Sequence, residues 1–470
     1  MFAFALWDPD RDTLFCVRDR LGIKPFYYYW DGRVFVFGSE IKALLAHPAV
    51  STRFAPEMLG EHLMFGFSSD DRTLFAGIRK LMPGHWLRLS PQGLQIESYW
   101  DVPPPPSQPE SRSDAEWIAD CRTRLEESVR LRLMSDVPLG MFLSGGVDSS
   151  AIAALIKRMT DGPVKTFSVG YKEKDYSELS YAAQVAEAIG TDHHEVVVSM
   201  DDFFSELPRL IWHEDEPIVW PSSVSLYFVS RLAASQVKVV LTGEGSDELF
   251  AGYGRYRLYQ LNRRFADAWR LLPGGLRRGM REWIGSTPLL SADLRRKMGH
   301  TALGREDSFE SLYVDNFFSA YGARELDSLL RHPSPAYDSW LAYWNEAGGR
   351  PLLNRLLYTD QKTYLVELLM KQDQMSMANS IESRVPFLDH TFVEFSTRVP
   401  DHLKLRGSQG KYILKRAVED LLPREIIYRK KMGFPTPLRA WLRESKAHPL
   451  LDRLRDPGSW LAEYVHMPAV

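Results

Sequence analysis

The sequence predicts an α/β protein: a doubly wound parallel sheet with a helical C-terminal part, preceded by a β-rich module. Three observations carry this. The first hundred residues hold short aromatic and β-branched runs separated by turn signals; residues 102–114, VPPPPSQPESRSD, break every regular pattern; and from residue 115 apolar strand-like runs alternate with helical ones. Strands that alternate with helices need crossover connections, which build a parallel sheet. At 470 residues the chain is long enough for two or three domains. The expected boundaries are a module over 1–101, a linker over 102–114 and a second domain over 115–470.

In order, residues 2–8, 13–19, 26–30 and 33–38 read as strands, with Asp31-Gly32 as the hairpin turn between the last two. A short helix over 41–47 follows, then strands around 86–89 and 94–100 on either side of the turn Ser90-Pro91-Gln92-Gly93. The prolines of the linker can neither continue a sheet nor open a helix before its final polar residues. The second domain then runs helix 115–134, strand 138–143, helix 149–159, strand 165–169, helix 181–189, strand 194–198, helices 202–211 and 223–235, and strand 238–241. Beyond about residue 254 the pattern is mostly helical and free of repeats.

Composition narrows the function. Apolar residues make up 44%, charged residues 25% and aromatics 12%, so disorder, collagen and coiled coil are excluded for the whole chain. Lys plus Arg count 58 against 61 acids, net −3, and the basic run 429–431 is only three residues, so neither nucleic acid nor a membrane is an expected partner. Any polyanion must be met locally. The two cysteines, Cys16 and Cys121, form no CxxC and no disulfide framework, which fits a cytoplasmic location. No apolar run is long enough to span a bilayer, and the opening residues lack the basic start and cleavage site of a signal peptide.

The informative chemistry lies at two strand ends. Leu143-Ser144-Gly145-Gly146-Val147-Asp148-Ser149-Ser150 sits between an apolar strand and a helix. Its glycines allow close backbone approach, its hydroxyls can donate, and the helix that starts here points its positive end outward, which together make an anion cradle. No GxxxxGK[ST] or GxGxxG pattern accompanies it. The second stretch, Thr242-Gly243-Glu244-Gly245-Ser246-Asp247-Glu248-Leu249-Phe250-Ala251-Gly252-Tyr253, again follows a buried strand. Ligands of doubly wound sheets bind at the carboxyl ends of strands, so Asp148 and Asp247 are expected to share one crevice and a Mg²⁺ ion between triphosphate oxygens.

The SGGxDS loop resembles the pyrophosphate loop of the N-type ATP pyrophosphatases (PP-loop superfamily), whose fold is of the adenine nucleotide alpha hydrolase type. GEGSDELFAGY is similar to the second signature of the glutamine-dependent asparagine synthases. Three further stretches, KQDQMSMANSIESRVPFLD (371–389), GKYILKR (410–416) and RKKMGFP (429–435), resemble the same family, and RDRLGIKPFYY and GSEIKALLAHP resemble the tail of its Ntn-type glutamine amidotransferase domain. The resemblance implies ATP-binding by Phe142, Ser144, Gly145, Gly146, Asp148, Ser149, Ser150, Val169, Thr242, Gly243 and Glu244, with Asp148 and Asp247 as magnesium ligands. Glu244 and Glu248 would line the aspartate side, and Lys411 would neutralise the α-phosphate, an effect on the order of several kcal/mol. Arg384 either forks a substrate carboxylate beside Glu382 or pairs with Glu382 to pin the turn before Pro386. Gln374 stands where the family carries a basic residue.

The implied activity is that of an ATP-dependent carbon–nitrogen ligase, making asparagine from aspartate through a β-aspartyl adenylate with release of AMP and pyrophosphate. ATP and Mg²⁺ are the expected cofactors. Aspartate, ATP and ammonia, free or derived from glutamine, are the expected small-molecule partners, and a homodimer is allowed. In that family the glutaminase nucleophile is an N-terminal cysteine; position 2 is Phe2, so the expectation is that the segment carrying the nucleophile is absent, that the C-terminus is shortened too, and that this polypeptide depends on ammonia. Strands 2–8 and 13–19 would then lack the pairing partners that the full domain would supply, leaving unpaired apolar edges. The rival readings are a ligase for another carboxylate, of the β-lactam synthetase, lasso-peptide cyclase or sugar-amidating type, and a catalytically silent remnant.

Overall fold

A computed structural model describes the chain except for residues 109, 219, 333–334, 434–435, 445–451, 453–455, 457 and 468–470. Strands β1 (Ala3–Asp8), β2 (Thr13–Arg18), β3 (Tyr27–Trp30), β4 (Phe35–Gly38), β5 (Ile78–Lys80), β6 (His85–Ser90) and β7 (Gly93–Ser98) form two antiparallel sheets, ordered β1-β2-β6-β7 and β4-β3-β5. Cys16, Phe26, Tyr28, Leu81 and Leu87 fill the space between them, and burial pushes the Cys16 thiol up to about 12. The expectation for the first two strands applies to one edge. β2 pairs on both sides, with β1 and β6, so of these two strands only β1 has an outer edge without a strand partner among the described residues. Sequence alone could not show that 2–8 and 13–19 pair with each other in full register, Ala3 opposite Arg18 through Asp8 opposite Thr13.

The five-stranded sheet that follows is parallel throughout. Its strands are β8 (Leu139–Phe142), β9 (Lys165–Tyr171), β10 (Asp192–Val198), β11 (Val239–Leu241) and β12 (Glu382–Arg384), in the order β10-β9-β8-β11-β12. The chain steps outward from β8 to β10, returns through helices Met200–Glu214 and Ser222–Ala234, and lays β11 on the other side of β8. The strand order therefore reverses between β8 and β11, where such folds open a crevice beyond the carboxyl ends of the strands. β12, three residues inside a stretch that reads as helix and turn, was not foreseen. Helix Val147–Met159 begins two residues earlier than the pattern suggests, with Gly146 as N-cap, so its first amides border the crevice.

The helices after residue 254 build a separate core around Tyr256, Tyr259, Tyr313, Trp340 and Leu356. Among the described residues no helix is long and apolar enough to cross a membrane. Helix Tyr364–Met377 joins the two parts: Arg18, 1% exposed, donates to the Met370 sulfur (3.0 Å), and Lys24 pairs with Asp373 (2.7 Å). Gln374, where a basic residue was expected, donates to the Glu214 carbonyl instead.

Two predictions follow from this architecture. β1 leaves Leu6 60% and Trp7 54% exposed, one on each face of the sheet, beside an open strand edge, an arrangement that templates association. Trp7→Lys should lower aggregation, read by light scattering at fixed concentration, and leave the far-UV spectrum unchanged. In the helix that joins the parts, burial pushes the Glu367 carboxyl up to about 8, with Glu214 and Glu216 adding to it and Lys80 and Lys371 opposing. An acid raised in the folded state contributes most below its unfolded value, near 4.5, and that contribution is lost as pH rises through about 8. Glu367→Gln should therefore leave the thermal midpoint unchanged at acid pH and raise it by about 2–5 °C at alkaline pH.

Candidate active site

The loops that follow β8 and β11 touch. A Cβ on Gly243 would lie 2.9 Å from the Ser149 nitrogen and 3.1 Å from the Asp148 Cβ, so only a residue without a side chain lets the two loops close on each other. Gly145 has φ +67° and packs against the Tyr181 backbone, where a Cβ would stand 2.6 Å from the carbonyl carbon. Around this turn the Ser144 and Ser149 hydroxyls lie 3.0 Å apart, and Gly146 donates to Ser144 Oγ. Ser150 and Thr242 are buried, and their hydroxyl oxygens have no hydrogen-bond partner among the described residues. Phe142 ends β8, and Val169 lies in β9 beside it.

A third segment closes the crevice. Gly410 packs against the Ala251 carbonyl, at 2.2 Å from a built Cβ, and Lys411 donates its amide to the Phe250 carbonyl (2.8 Å) from a left-handed backbone, φ 55°. The Lys411 side chain, 3% exposed, reaches between the two loops: its Nζ lies 2.6 Å from Asp148 Oδ2, 2.8 Å from Asp247 Oδ1 and 2.9 Å from Ser246 Oγ. Each ion pair at this range is worth on the order of 5 kcal/mol at an effective dielectric constant of ~20, against a burial cost of several kcal/mol per ion. Attraction wins. Burial pulls the Lys411 ammonium down, but Asp148 and Asp247 hold it above the ordinary lysine range. Burial likewise raises the Asp247 carboxyl, and Lys411 with Lys431 hold it well below the usual carboxylate range.

The acids of the same loop behave differently. Glu248, 1% exposed, accepts from the Tyr253 hydroxyl (2.8 Å), and burial with the neighbouring Asp247 pushes its carboxyl up to about 7. Burial also raises Glu244, against the pull of Lys371. Among the described residues no cluster of three or more His, Cys, Asp or Glu could cage a metal ion. The buried Asp148 Oδ1, however, has no hydrogen-bond partner there. One or two carboxylates completed by phosphate oxygens and water is how Mg²⁺ is ordinarily held, so Asp148 and Asp247 fit that ion.

Two expected residues do not join the site. The Arg384 guanidinium is committed to Glu382 (2.9 Å) and to the carbonyls of Arg132 and Met134 (2.9 and 2.7 Å), at the end of helix Asp114–Arg132. Of the two expected roles of Arg384, the hydrogen bonds show the pairing with Glu382, and the pair pins β12 to that helix end. Other residues were missed. Lys431 reaches Asp247 Oδ1 (2.7 Å), and Arg429 donates to the Gly145 carbonyl and pairs with Glu178 (2.7 Å) across the face of Tyr181. Both stand in RKKMGFP, where clustered cations were the available signal; Phe434 and Pro435 of that stretch lie outside the described residues. Tyr253 closes the second signature, and nothing in the sequence marked its hydroxyl.

Residues 120–470 match the asparagine synthase family model, three quarters of the chain. The chain belongs to the asparagine synthase family. It is a carbon–nitrogen ligase of the asparagine synthase type and uses ATP. Residues 1–100 match the glutamine amidotransferase domain model. Relatives include the glutamine-hydrolysing asparagine synthetase 1 of Bacillus subtilis (strain 168), 34% identical over 94% of this chain and 68% of that protein, and asparagine synthetase 3 of the same organism, 33% identical over 96% and 72%. The amidase chyE of Penicillium rubens is 28% identical over 94% of this chain and 70% of that protein.

Gly252 offers the sharpest test of this asparagine synthase geometry. A Cβ there would sit 2.0 Å from Asp247 Oδ1 and 2.1 Å from Lys411 Cε. Gly252→Ala should displace the Lys411 side chain and cut ATP-dependent pyrophosphate release by about 100-fold or more, while circular dichroism shows an intact fold.

Proposed function

We propose that the chain converts aspartate to asparagine in two steps on Mg-ATP bound between the 144–150 and 243–247 loops. The observation that carries this reading is the Lys411 ammonium held between Asp148 and Asp247, at the point where the strand order reverses. That arrangement suits a polyanion whose charge is shared among lysines and a cation. A magnesium ion on the two carboxylates would neutralise triphosphate charge.

The residues of the chain account for the rest. The first amides of helix Val147–Met159 and the hydroxyls of Ser144 and Ser149 face the phosphates, where backbone donors and the helix dipole favour negative charge. Arg429 and Lys431 add positive charge from the opposite wall. A side-chain carboxylate oxygen of aspartate attacks the α-phosphorus; the bond to the bridging oxygen breaks and pyrophosphate leaves. Lys411 stands where charge builds on the α-phosphate, so its contribution is realised in the transition state rather than the ground state. Ammonia then attacks the acyl carbon, its nitrogen loses a proton, and AMP departs. Glu244 and Glu248, both raised carboxyls, are the bases beside that step.

For nitrogen, we read this polypeptide as using ammonium. Cys16 and Cys121 are both fully buried, and burial raises both thiols, so neither is an available nucleophile. A second reading, another carboxylate as acceptor, has one observation in its favour: Arg384, which would have forked a substrate carboxylate, is committed elsewhere.

The deciding experiment supplies ATP, Mg²⁺, aspartate and either ammonium or glutamine, and measures pyrophosphate and asparagine. Asparagine with ammonium alone is expected; pyrophosphate without asparagine would move the assignment to another acceptor, and no pyrophosphate would overturn it. Asp148→Ala should reduce pyrophosphate release by about 100-fold or more without unfolding the chain.

A further inference from the structure

Beside the crevice lies a second polar cluster that the reaction above does not use. Asp360, fully buried, accepts on Oδ2 from Arg255 Nε (3.1 Å) and Nη2 (2.7 Å), from the Tyr256 hydroxyl (2.7 Å) and from the Tyr313 hydroxyl (2.9 Å). The Arg255 guanidinium is enclosed by rings: its carbon lies 3.8 Å from the centroid of Tyr253, 4.4 Å from Phe318 and 4.8 Å from Tyr364. A cation desolvated on aromatic faces is bound firmly, and its fork is fixed by Asp360. The Tyr253 ring is therefore clamped from its buried side.

Tyr253 is also where this cluster meets the crevice. Its hydroxyl donates to Glu248 Oε1 (2.8 Å), and the Lys431 ammonium lies 4.4 Å from its ring centroid while bonding Asp247 at 2.7 Å. One ring thus touches a group from each end of the crevice, Glu248 on the acceptor side and Lys431 on the phosphate side.

We propose that Tyr253, clamped by Arg255 and Asp360, is a positioning residue that fixes the spacing between the acceptor side and the phosphate side of the crevice. The inference rests on the adenylating role argued above and goes further by naming what sets that spacing. Attack on the α-phosphorus needs reacting atoms within about 3.5 Å, and a misplacement of about 1 Å can cost about 100-fold. A ring that bridges the two sides and is buried on the other face is built to prevent such slack.

The test separates the two contacts. Tyr253→Phe keeps the ring and removes the bond to Glu248; it should lower kcat by about tenfold and leave the KM for ATP within about twofold. Tyr253→Leu removes the ring as well, and should in addition weaken ATP binding, measured by direct titration, by about fivefold or more. Tyr256→Phe takes a hydroxyl from the same Asp360 without touching Glu248 or Lys431, and should lower thermal stability while leaving both kinetic constants unchanged. Wild-type kcat in Tyr253→Phe, or the same kinetic loss in Tyr256→Phe, would overturn the inference. A wild-type chain that binds ATP but releases no pyrophosphate with aspartate would fault the acceptor assignment instead, and the ATP affinity of Tyr253→Leu would still decide this one.

Discussion

The site is organised by a single buried cation. Lys411 lies between two carboxylates that would otherwise repel each other across a low-dielectric crevice, and it is compensated by both, while Lys431 adds a second cation on Asp247 from the more exposed side. Removing the lysine would leave two acids facing one another; removing either acid would leave a buried ammonium with half its compensation. The arrangement is what the proposed ATP site would need, a positive charge already desolvated and aimed.

The fold delivers these charges through close backbone approach. Three glycines, Gly243, Gly252 and Gly410, lie where a methyl group would strike the opposing loop, the Asp247–Lys411 pair or the Ala251 carbonyl. The crevice is narrow because the loops themselves, rather than long side chains, form its walls. Backbone walls move less than side chains, which would suit the proposed adenylate, an intermediate that must be shielded from water. The reversal of strand order between β8 and β11 sets the place, and the glycines set the width.

Much of this was legible in the sequence. The alternation of strands and helices from residue 115 gave the parallel sheet, and the two glycine-rich stretches stood directly after apolar strands. What escaped was non-local. β12 is three residues long and earns its strand geometry only by pairing with β11, so no periodicity announced it. The pairing of Arg384 with Glu382 was one of its two legible roles, whereas its other acceptors, the carbonyls of residues 132 and 134, lie some 250 positions away in the chain and left no local signal. The roles of Tyr253 and Arg255 depend on Asp360 and Tyr364, more than 100 positions later, and a pattern read locally could not join them.

Sequence distance also bears on how the protein is made. Asp148 and its lysine partner are separated by 263 positions, so during synthesis the two acidic loops emerge long before the cation that reconciles them. Until residue 411 has been made, the nascent sheet must keep its central cleft open to water or to counterions. Closure of the cleft is therefore a long-range event that waits for Lys411, and neither loop can complete it by local folding.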